Sequence, residues 1–327
     1  LDKVSGDPPV RQKIFWWAIK VGKKAAKFLT RGQEPSGLLG LQFKIADKLV
    51  FSKLKDKVGG RLRCFISGGA PLSEGVGKFF ASANIPILEG YGLTETSPVI
   101  TCNREDLYKF GTVGKPIEGV EVKIAEDGEV LCRGDNVMIG YYKNPEGTKE
   151  VFDDDGWFKT GDIGDFDDED GYLRITDRKK SILVTSGGKN VAPAPLELAL
   201  GLSKYIEQCL VIGDRRNFIA ALIVPSFEIL NSWAEENDIQ DMDRKNLCEN
   251  PVVIDLFEKE VYTIMESFSR YERVKKVALL DREWTIESGE LTPKLSVKRK
   301  VVVKNCAEVI DKLYSAKSTD EPKKTND

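Results

Sequence analysis

Apolar positions first recur at helical spacing over residues 11–29. Ile14, Trp17, Ala18, Val21, Ala25 and Phe28 fall on one stripe, and Lys13, Lys20, Lys23, Lys24 and Lys27 lie mostly off it. Such a basic amphipathic helix suits a membrane surface or the surface of its own domain, and the pattern alone favours the second. Gly32 to Gly40 reads as a break, and residues 41–57 read as a second helix. Leu62–Ile66 is a short apolar run that ends in Ser67-Gly68-Gly69-Ala70-Pro71, followed by a helix over Ser73–Ala83. Ile85–Leu88 is a second buried run, leading into Glu89-Gly90-Tyr91-Gly92-Leu93-Thr94-Glu95-Thr96. Strand, glycine turn, helix, strand, glycine turn is α/β logic, and ligands gather where such strands end.

From Gly111 to Asp177 the texture becomes β-rich, with strands expected at Val120–Ile124, Glu129–Cys132 and Gly171–Ile175 in a small antiparallel sheet or barrel. The acidic stretch Asp153 to Asp170 reads mostly as solvated turns. Asp177-Arg178-Lys179-Lys180 interrupts this pattern, and a self-contained α+β set follows. Its strands are expected at Gln208–Ile212, Ile219–Val224 and Val274–Leu280. Asn250 caps a helix that opens on Pro251, with an apolar stripe of Ile254, Phe257, Val261, Ile264 and Phe268. The fold class is therefore α/β plus α+β. Residues 1–176 form part of a large domain: helical over 1–60, α/β over 61–110 and β-rich over 111–176. A hinge over 177–182, a small α+β domain over 183–314 and a disordered tail over 315–327 complete the reading. No internal repeat is visible.

The 327 residues suffice for two domains, and 41% hydrophobic with 31% charged residues is a globular profile. A net charge of −3 leaves no basic field for nucleic acid. No apolar run is long enough for a transmembrane helix, and no signal peptide is visible. Six scattered cysteines without a CxxC pair fit reduced cytosolic thiols, which points to a cytoplasmic protein. The chain has no histidine, which removes Ser-His-Asp triads, HExxH zinc sites and histidine bases together.

Chemistry must then rest on lysine, arginine, carboxylates, hydroxyls, backbone amides or a metal. The two glycine turns let backbone approach a ring or a phosphate. Thr94 can bond a phosphate oxygen and Glu95 beside it can hold Mg²⁺. Asp162, in Thr160-Gly161-Asp162, can accept ribose hydroxyls, although alone it reads as a turn aspartate. Arg178 offers a planar fork for phosphate or serves as a charged linker residue. A lysine in Leu291-Thr292-Pro293-Lys294-Leu295-Ser296-Val297-Lys298-Arg299-Lys300 can neutralise charge between a carboxylate and an α-phosphate; otherwise it is a basic patch.

Taken in order, these segments resemble the adenylate-forming superfamily, most closely long-chain fatty acyl-CoA synthetases, over residues 40 to 310. LEGYGLTETSPVIT at 88–101 is similar to the AMP-binding motif, and DGWFKTGDIG at 155–164 and GYLRITDRKK at 171–180 to the ribose and hinge motifs. SGGKNVAPAPLE at 186–197 resembles the stretch lining the coenzyme A tunnel. The resemblance implies ATP-dependent formation of an acyl-AMP from a fatty acid, then transfer to coenzyme A, with Mg²⁺. It implies that Gly68, Gly69, Ala70, Gly90 and Tyr91 flank the adenine, that Glu89, Gly92 and Ile175 also bind the cofactor, and that Thr94 and Glu95 meet phosphate and Mg²⁺. Asp162 would take the ribose hydroxyls, Arg178 would contact the ribose or phosphate, and Lys180 would be the hinge. Gly188 and Lys189 would lie by the pantetheine channel, and Lys298 would be the adenylation lysine. The C-terminal domain would turn between the two half-reactions.

Val297 stands where the wider superfamily has glycine, so Lys300 remains an alternative to Lys298. Asp-Arg-Lys-Lys replaces the Gly-Arg-x-Asp hinge of many relatives; both departures point to the fatty acyl branch. Nothing in residues 1–60 resembles the family's Ser/Thr/Gly-rich phosphate loop. The resemblance therefore implies a fragment with little ligase activity alone, short of much of its fatty-acid tunnel. Another adenylating branch, short-chain or amino-acid-activating, and a non-catalytic AMP-binding module are the competing readings. Peripheral membrane contact is an expectation from the first helix; oligomeric state and acyl chain length are not legible.

Overall fold

The computed structural model describes residue 6 and residues 8–167 and 170–315. The tail expected at 315–327 lies outside the described residues except for Ser315. The chain divides into two compact units, Leu1–Lys180 and Ser181–Asp327.

The first unit opens with α1 (Pro9–Leu29), which starts on a proline whose missing N–H costs a helix nothing there. Its buried face is Ala18, Ile19, Val21, Gly22, Ala25 and Ala26. This keeps Ala18, Val21 and Ala25 of the expected stripe and corrects the rest, because Ile14, Trp17 and Phe28 are exposed. Small residues decide the face. A Cβ on Gly22 would lie 2.2 Å from the Ser82 carbonyl oxygen, so α1 approaches α4 (Glu74–Ser82) more closely than large side chains allow. The helix thus packs on its own domain. After a break shorter than expected come α2 (Gly37–Ala46), a π-turn at Asp47–Phe51 and α3 (Ser52–Lys57).

β1 (Phe65–Gly68), β2 (Ile87–Gly92), β3 (Val99–Cys102) and β4 (Lys115–Pro116) form one sheet in that order. β1 and β2 are parallel and the other pairs antiparallel. β5 (Val120–Ile124), β6 (Glu129–Gly134), β7 (Phe158–Phe166) and β8 (Leu173–Arg178) form a four-stranded antiparallel sheet. α5 (Pro145–Val151) lies between β6 and β7. Two expectations change here. The acidic stretch is not mostly turns, since β7 runs through it with Phe158, Thr160, Asp162 and Gly164 buried at period two. The last strand begins at Leu173 rather than Gly171 and continues into the expected hinge, because its register with β7 extends to Asp162 opposite Arg178. Ile100, Cys132 and Phe158 form a core shared by the two sheets, with Tyr91, Leu93, Val120 and Val122 packed against it.

In the second unit, β9 (Leu183–Val184) and β10 (Asn190–Val191) make a hairpin before α6 (Pro193–Leu200). β11 (Ile206–Ile212), β12 (Ile219–Pro225) and β13 (Val274–Leu279) form a mixed sheet in that order. Every residue of the central β12 is buried, as a continuous apolar run in mid-sheet requires. α7 (Phe227–Glu236), α8 (Arg244–Glu249), α9 (Pro251–Met265), α10 (Arg299–Asn305) and α11 (Ala307–Ser315) complete this unit. Asn250 caps α9 through its side-chain oxygen as expected. Its buried stripe is Val253, Phe257, Val261 and Met265; Ile254 and Ile264 are half-buried, and Phe268 lies past the helix end.

Glu290 is wholly buried in this unit. Its carboxylate accepts both Arg282 terminal nitrogens at 2.7 Å, Ser288 Oγ at 2.8 Å and Asn305 Nδ2 at 3.0 Å. The Arg282 guanidinium holds its carboxyl down at about 2. All six cysteines are free thiols. Among the described residues, no helix is long and apolar enough to cross a membrane.

Two stability outcomes follow from this packing. Gly22→Val forces α1 off α4 and lowers unfolding free energy by about 2 kcal/mol, measurable by denaturant titration. Arg282→Ala strands the Glu290 carboxylate and costs about 2 kcal/mol near neutral pH, less than a fully enclosed pair because Arg282 is half exposed. A carboxyl with a lowered folded pKa stabilises above its ordinary value and loses that contribution as pH falls through the folded one. The gap between wild type and Arg282→Ala is therefore full at pH 7 and closes as pH falls from 4.5 towards about 2.

Candidate functional site

β1 and β2 run parallel with Gly68 opposite Gly90; only the first glycine stretch turns out of the sheet there, because Glu89–Gly92, expected as a turn, stays in β2 and pairs with β3. A Cβ on Gly68 would lie 3.3 Å from the Gly90 carbonyl oxygen, and Gly69 takes φ +80°. Ala70 follows in the same exposed turn. Glu89, half-buried on β2, has its carboxyl pushed up to about 7 by burial, with Glu74 adding to the effect. Gly92 cannot be any other residue without moving backbone, since a Cβ there would meet the Pro98 carbonyl oxygen at 1.7 Å.

Beyond Gly92 the chain makes one 3-10 turn, Thr94–Thr96. Its shape is held from inside. The buried Thr96 hydroxyl accepts Leu93 N–H at 3.0 Å and donates to the Pro98 carbonyl at 2.7 Å. Asn136 Nδ2 donates to the Thr96 and Val99 carbonyls at 3.0 and 2.7 Å. The Glu95 carbonyl accepts Met138 N–H at 2.7 Å, and its carboxylate accepts Tyr141 O–H at 2.9 Å. Thr94 is left exposed and Glu95 half-buried at the turn surface.

Asp162 is 5% exposed, on β7. Tyr91, from the other sheet, donates its O–H to Asp162 Oδ2 at 2.7 Å. Arg178 Nε stands 3.4 Å from Asp162 Oδ1, and Arg178 is largely exposed. Burial pushes the Asp162 carboxyl up, while Tyr91 and Arg178 pull it back. Burial also raises the Tyr91 phenol, with Asp162 adding to it. A carboxylate has about four lone-pair positions, so these two partners leave room for further hydroxyl donors. That acceptor capacity fits the two hydroxyls of a ribose.

The expected residues thus divide. Gly68, Gly69, Ala70, Glu89, Gly90, Tyr91, Gly92, Thr94, Glu95, Asp162 and Arg178 all belong to the first unit, and the Tyr91–Asp162–Arg178 chain joins three of them directly. Ile175 is half-buried on β8 opposite Gly164, not opposite Asp162. Lys180 is exposed and is the last residue of the first unit. Gly188, Lys189, Lys298 and Lys300 belong to the second. Gly188 has φ +74° in the exposed turn between β9 and β10, where Lys189 N–H donates to Thr185 Oγ1 at 3.1 Å. Lys298 stands at the base of a small hairpin, its N–H donating to the Glu290 carbonyl at 2.7 Å, just before α10; Lys300 is inside that helix.

Four residues that support this geometry were not legible in the sequence: Asn136, Tyr141, Glu129 and Lys179. Each has a partner 40 or more residues away: Asn136 with Thr96, Tyr141 with Glu95, and Glu129 with Lys179. Only the Gly140-Tyr141-Tyr142 cluster gave a local hint, an aromatic pair in a polar turn.

The chain is similar to known proteins. The AMP-binding enzyme family matches residues 35–142, and its AMP-binding enzyme C-terminal domain matches residues 180–318. The chain is 43% identical over 304 residues to a long-chain-fatty-acid–CoA ligase of Mycobacterium tuberculosis, covering 93% of this chain and 50% of that protein. It is 36% identical over 342 residues to a peroxisomal long chain acyl-CoA synthetase of Arabidopsis thaliana, covering 98% and 46%. Among solved structures it is similar to the A domain of the carboxylic acid reductase of Segniliparus rugosus in complex with AMP and a co-purified carboxylic acid. That match has a TM-score of 0.66 and 25% identity, over 92% of this chain and 46% of that one. The chain spans about half the length of the curated relatives it matches. With both family domains matched in order along it, the chain belongs to the AMP-binding enzyme family.

Proposed function

We propose that the protein carrying this chain is a long-chain fatty acyl-CoA ligase. A fatty-acid carboxylate oxygen attacks the α-phosphorus of ATP and pyrophosphate leaves. The thiol of coenzyme A then attacks the acyl carbon and AMP leaves. The observation that carries the reading is the buried Asp162, held by Tyr91 and Arg178 with acceptor positions to spare for a ribose. Identity to long-chain-fatty-acid–CoA ligases at 43% supports the acyl class and the acceptor. The chemistry needs positioning and charge stabilisation rather than a proton shuttle, so a chain without histidine can perform it.

In this reading the adenine lies against Gly68, Gly69, Ala70 and the Glu89–Gly92 strand end, with Ile175 on the nucleoside side. The Thr94 hydroxyl bonds phosphate. Glu95 gives Mg²⁺ one carboxylate ligand. Among the described residues no group of three or more carboxylate or thiol side chains is placed to hold a metal ion, so of the chain's own groups the Glu95 carboxylate is the one that would hold Mg²⁺ in this reading. When bound, Mg²⁺ neutralises phosphate charge. Residues from 183 to 314 form the small C-terminal domain, with the hinge at 177–182 and Lys180 as its pivot; the family's C-terminal match starting at 180 supports that division. Gly188 and Lys189 line the pantetheine path. Lys298 is the adenylation lysine, favoured over Lys300 because its backbone is fixed to the buried Glu290.

The intact protein is expected to catalyse pyrophosphate exchange with palmitate well above acetate or any amino acid, and to form palmitoyl-CoA. Lys298→Ala is expected to slow adenylate formation by about 10²–10³-fold, the usual scale for one charge-stabilising group, while Lys300→Ala stays near wild type. Greater exchange with acetate or an amino acid would overturn the fatty acyl assignment. Loss in Lys300→Ala with Lys298→Ala unaffected would move the lysine.

A further inference from the structure

Asp162 and Arg178 are register partners on β7 and β8, and the peptide before Asp162 is held from two sides. Gly161 N–H donates to Glu129 Oε1 at 2.9 Å. The Gly161 carbonyl accepts Lys179 N–H at 2.8 Å. The same two residues also pair with each other: Lys179 Nζ donates to Glu129 Oε2 at 2.8 Å and to Asp127 Oδ2 at 2.5 Å. Glu129 is 7% exposed, and Gly161 sits at φ +74° with no side chain of its own to hold it there. One buried carboxylate therefore connects the residue preceding Asp162 with the residue following Arg178.

We propose that Glu129 is a positioning residue for ribose recognition: without touching the nucleotide, it sets the direction in which Asp162 and Arg178 meet the sugar. The inference rests on the reading that Asp162 takes the ribose hydroxyls. Charge-assisted bonds to a desolvated carboxylate are stronger than neutral ones, so Glu129 is a strong tether on Gly161, where the register between β6 and β7 is irregular. Hydrogen bonds weaken steeply with misalignment, so a small rotation of β7 at Gly161 falls on hydroxyl recognition first. Asp127 keeps Lys179 paired when Glu129 is altered, which limits the damage to that part of β7.

The test is the affinity of the intact protein for AMP and for 2′,3′-dideoxy-AMP, measured by calorimetry. Wild type is expected to prefer AMP, and Asp162→Ala to abolish the preference. Glu129→Ala is expected to cut the preference about tenfold, the loss of roughly one well-formed hydrogen bond, with the dideoxy affinity within about twofold of wild type. Glu129→Gln, which keeps an oxygen for Gly161 N–H, is expected to retain most of it. Should Glu129→Ala not fold, Glu129→Asp takes its place, because it keeps charge near Lys179 but shortens the reach to Gly161. Equal weakening of both nucleotides would show a merely structural role and overturn the proposal. A preference kept in Glu129→Ala but lost in Asp162→Ala would also overturn it, and leave the ribose reading intact. A preference kept in Asp162→Ala would overturn the ribose reading itself.

Discussion

A carboxylate taken out of water must be paired, and Asp162 is paired from two directions. Tyr91 reaches it from the parallel-edged sheet, and Arg178 from the neighbouring strand of its own sheet. Burial of an ionised carboxyl without partners costs several kcal/mol, so this contact fixes the relation of the two sheets wherever Asp162 is charged. The shared core of Ile100, Cys132 and Phe158 lies beneath the same junction. The glycine turn at 68–69, the Gly90–Gly92 end of β2 and the Thr94–Thr96 turn that follows it all belong to or adjoin strands of the first sheet. Each is placed by the packing that also places Tyr91.

The second unit solves a related problem with Glu290. Its carboxylate is enclosed and accepts four donors, and the chain continues from it through a hairpin to Lys298. Arg299 next to it pairs with Glu197 at 2.6 Å and donates to the Val211 carbonyl. Lys298 is thereby bracketed by two anchored residues while its own side chain stays exposed.

Much of this was readable in the sequence where the signal is local. Strand–glycine–helix spacing located the turn after Gly68, Asn250 and Pro251 marked the start of α9, and the apolar run at 219–224 marked β12. The errors arose where tertiary context outweighed local pattern. The expected stripe of α1 holds Ala18, Val21 and Ala25, which are buried, but it also includes the exposed Ile14, Trp17 and Phe28 and leaves out Gly22, where the helix comes closest to its neighbour. β7 was hidden among carboxylates, which read as solvated turns, although Phe158, Thr160, Asp162 and Gly164 alternate as an inward face. Glu129 and Lys179 gave no signal, since their meaning lies in a partner about fifty residues away.

The site therefore combines locally encoded turns with buried acids whose partners only the fold supplies, and its chemistry follows from what those acids can still accept. The most direct measurement is a crystal structure of the protein grown with AMP. A ribose read by Asp162 requires the 2′ and 3′ oxygens within about 3 Å of the Asp162 carboxylate, a normal hydrogen-bond distance, with the adenine beside the Glu89–Gly92 strand end. Adenosine bound elsewhere, or bound with its sugar away from Asp162, would contradict it.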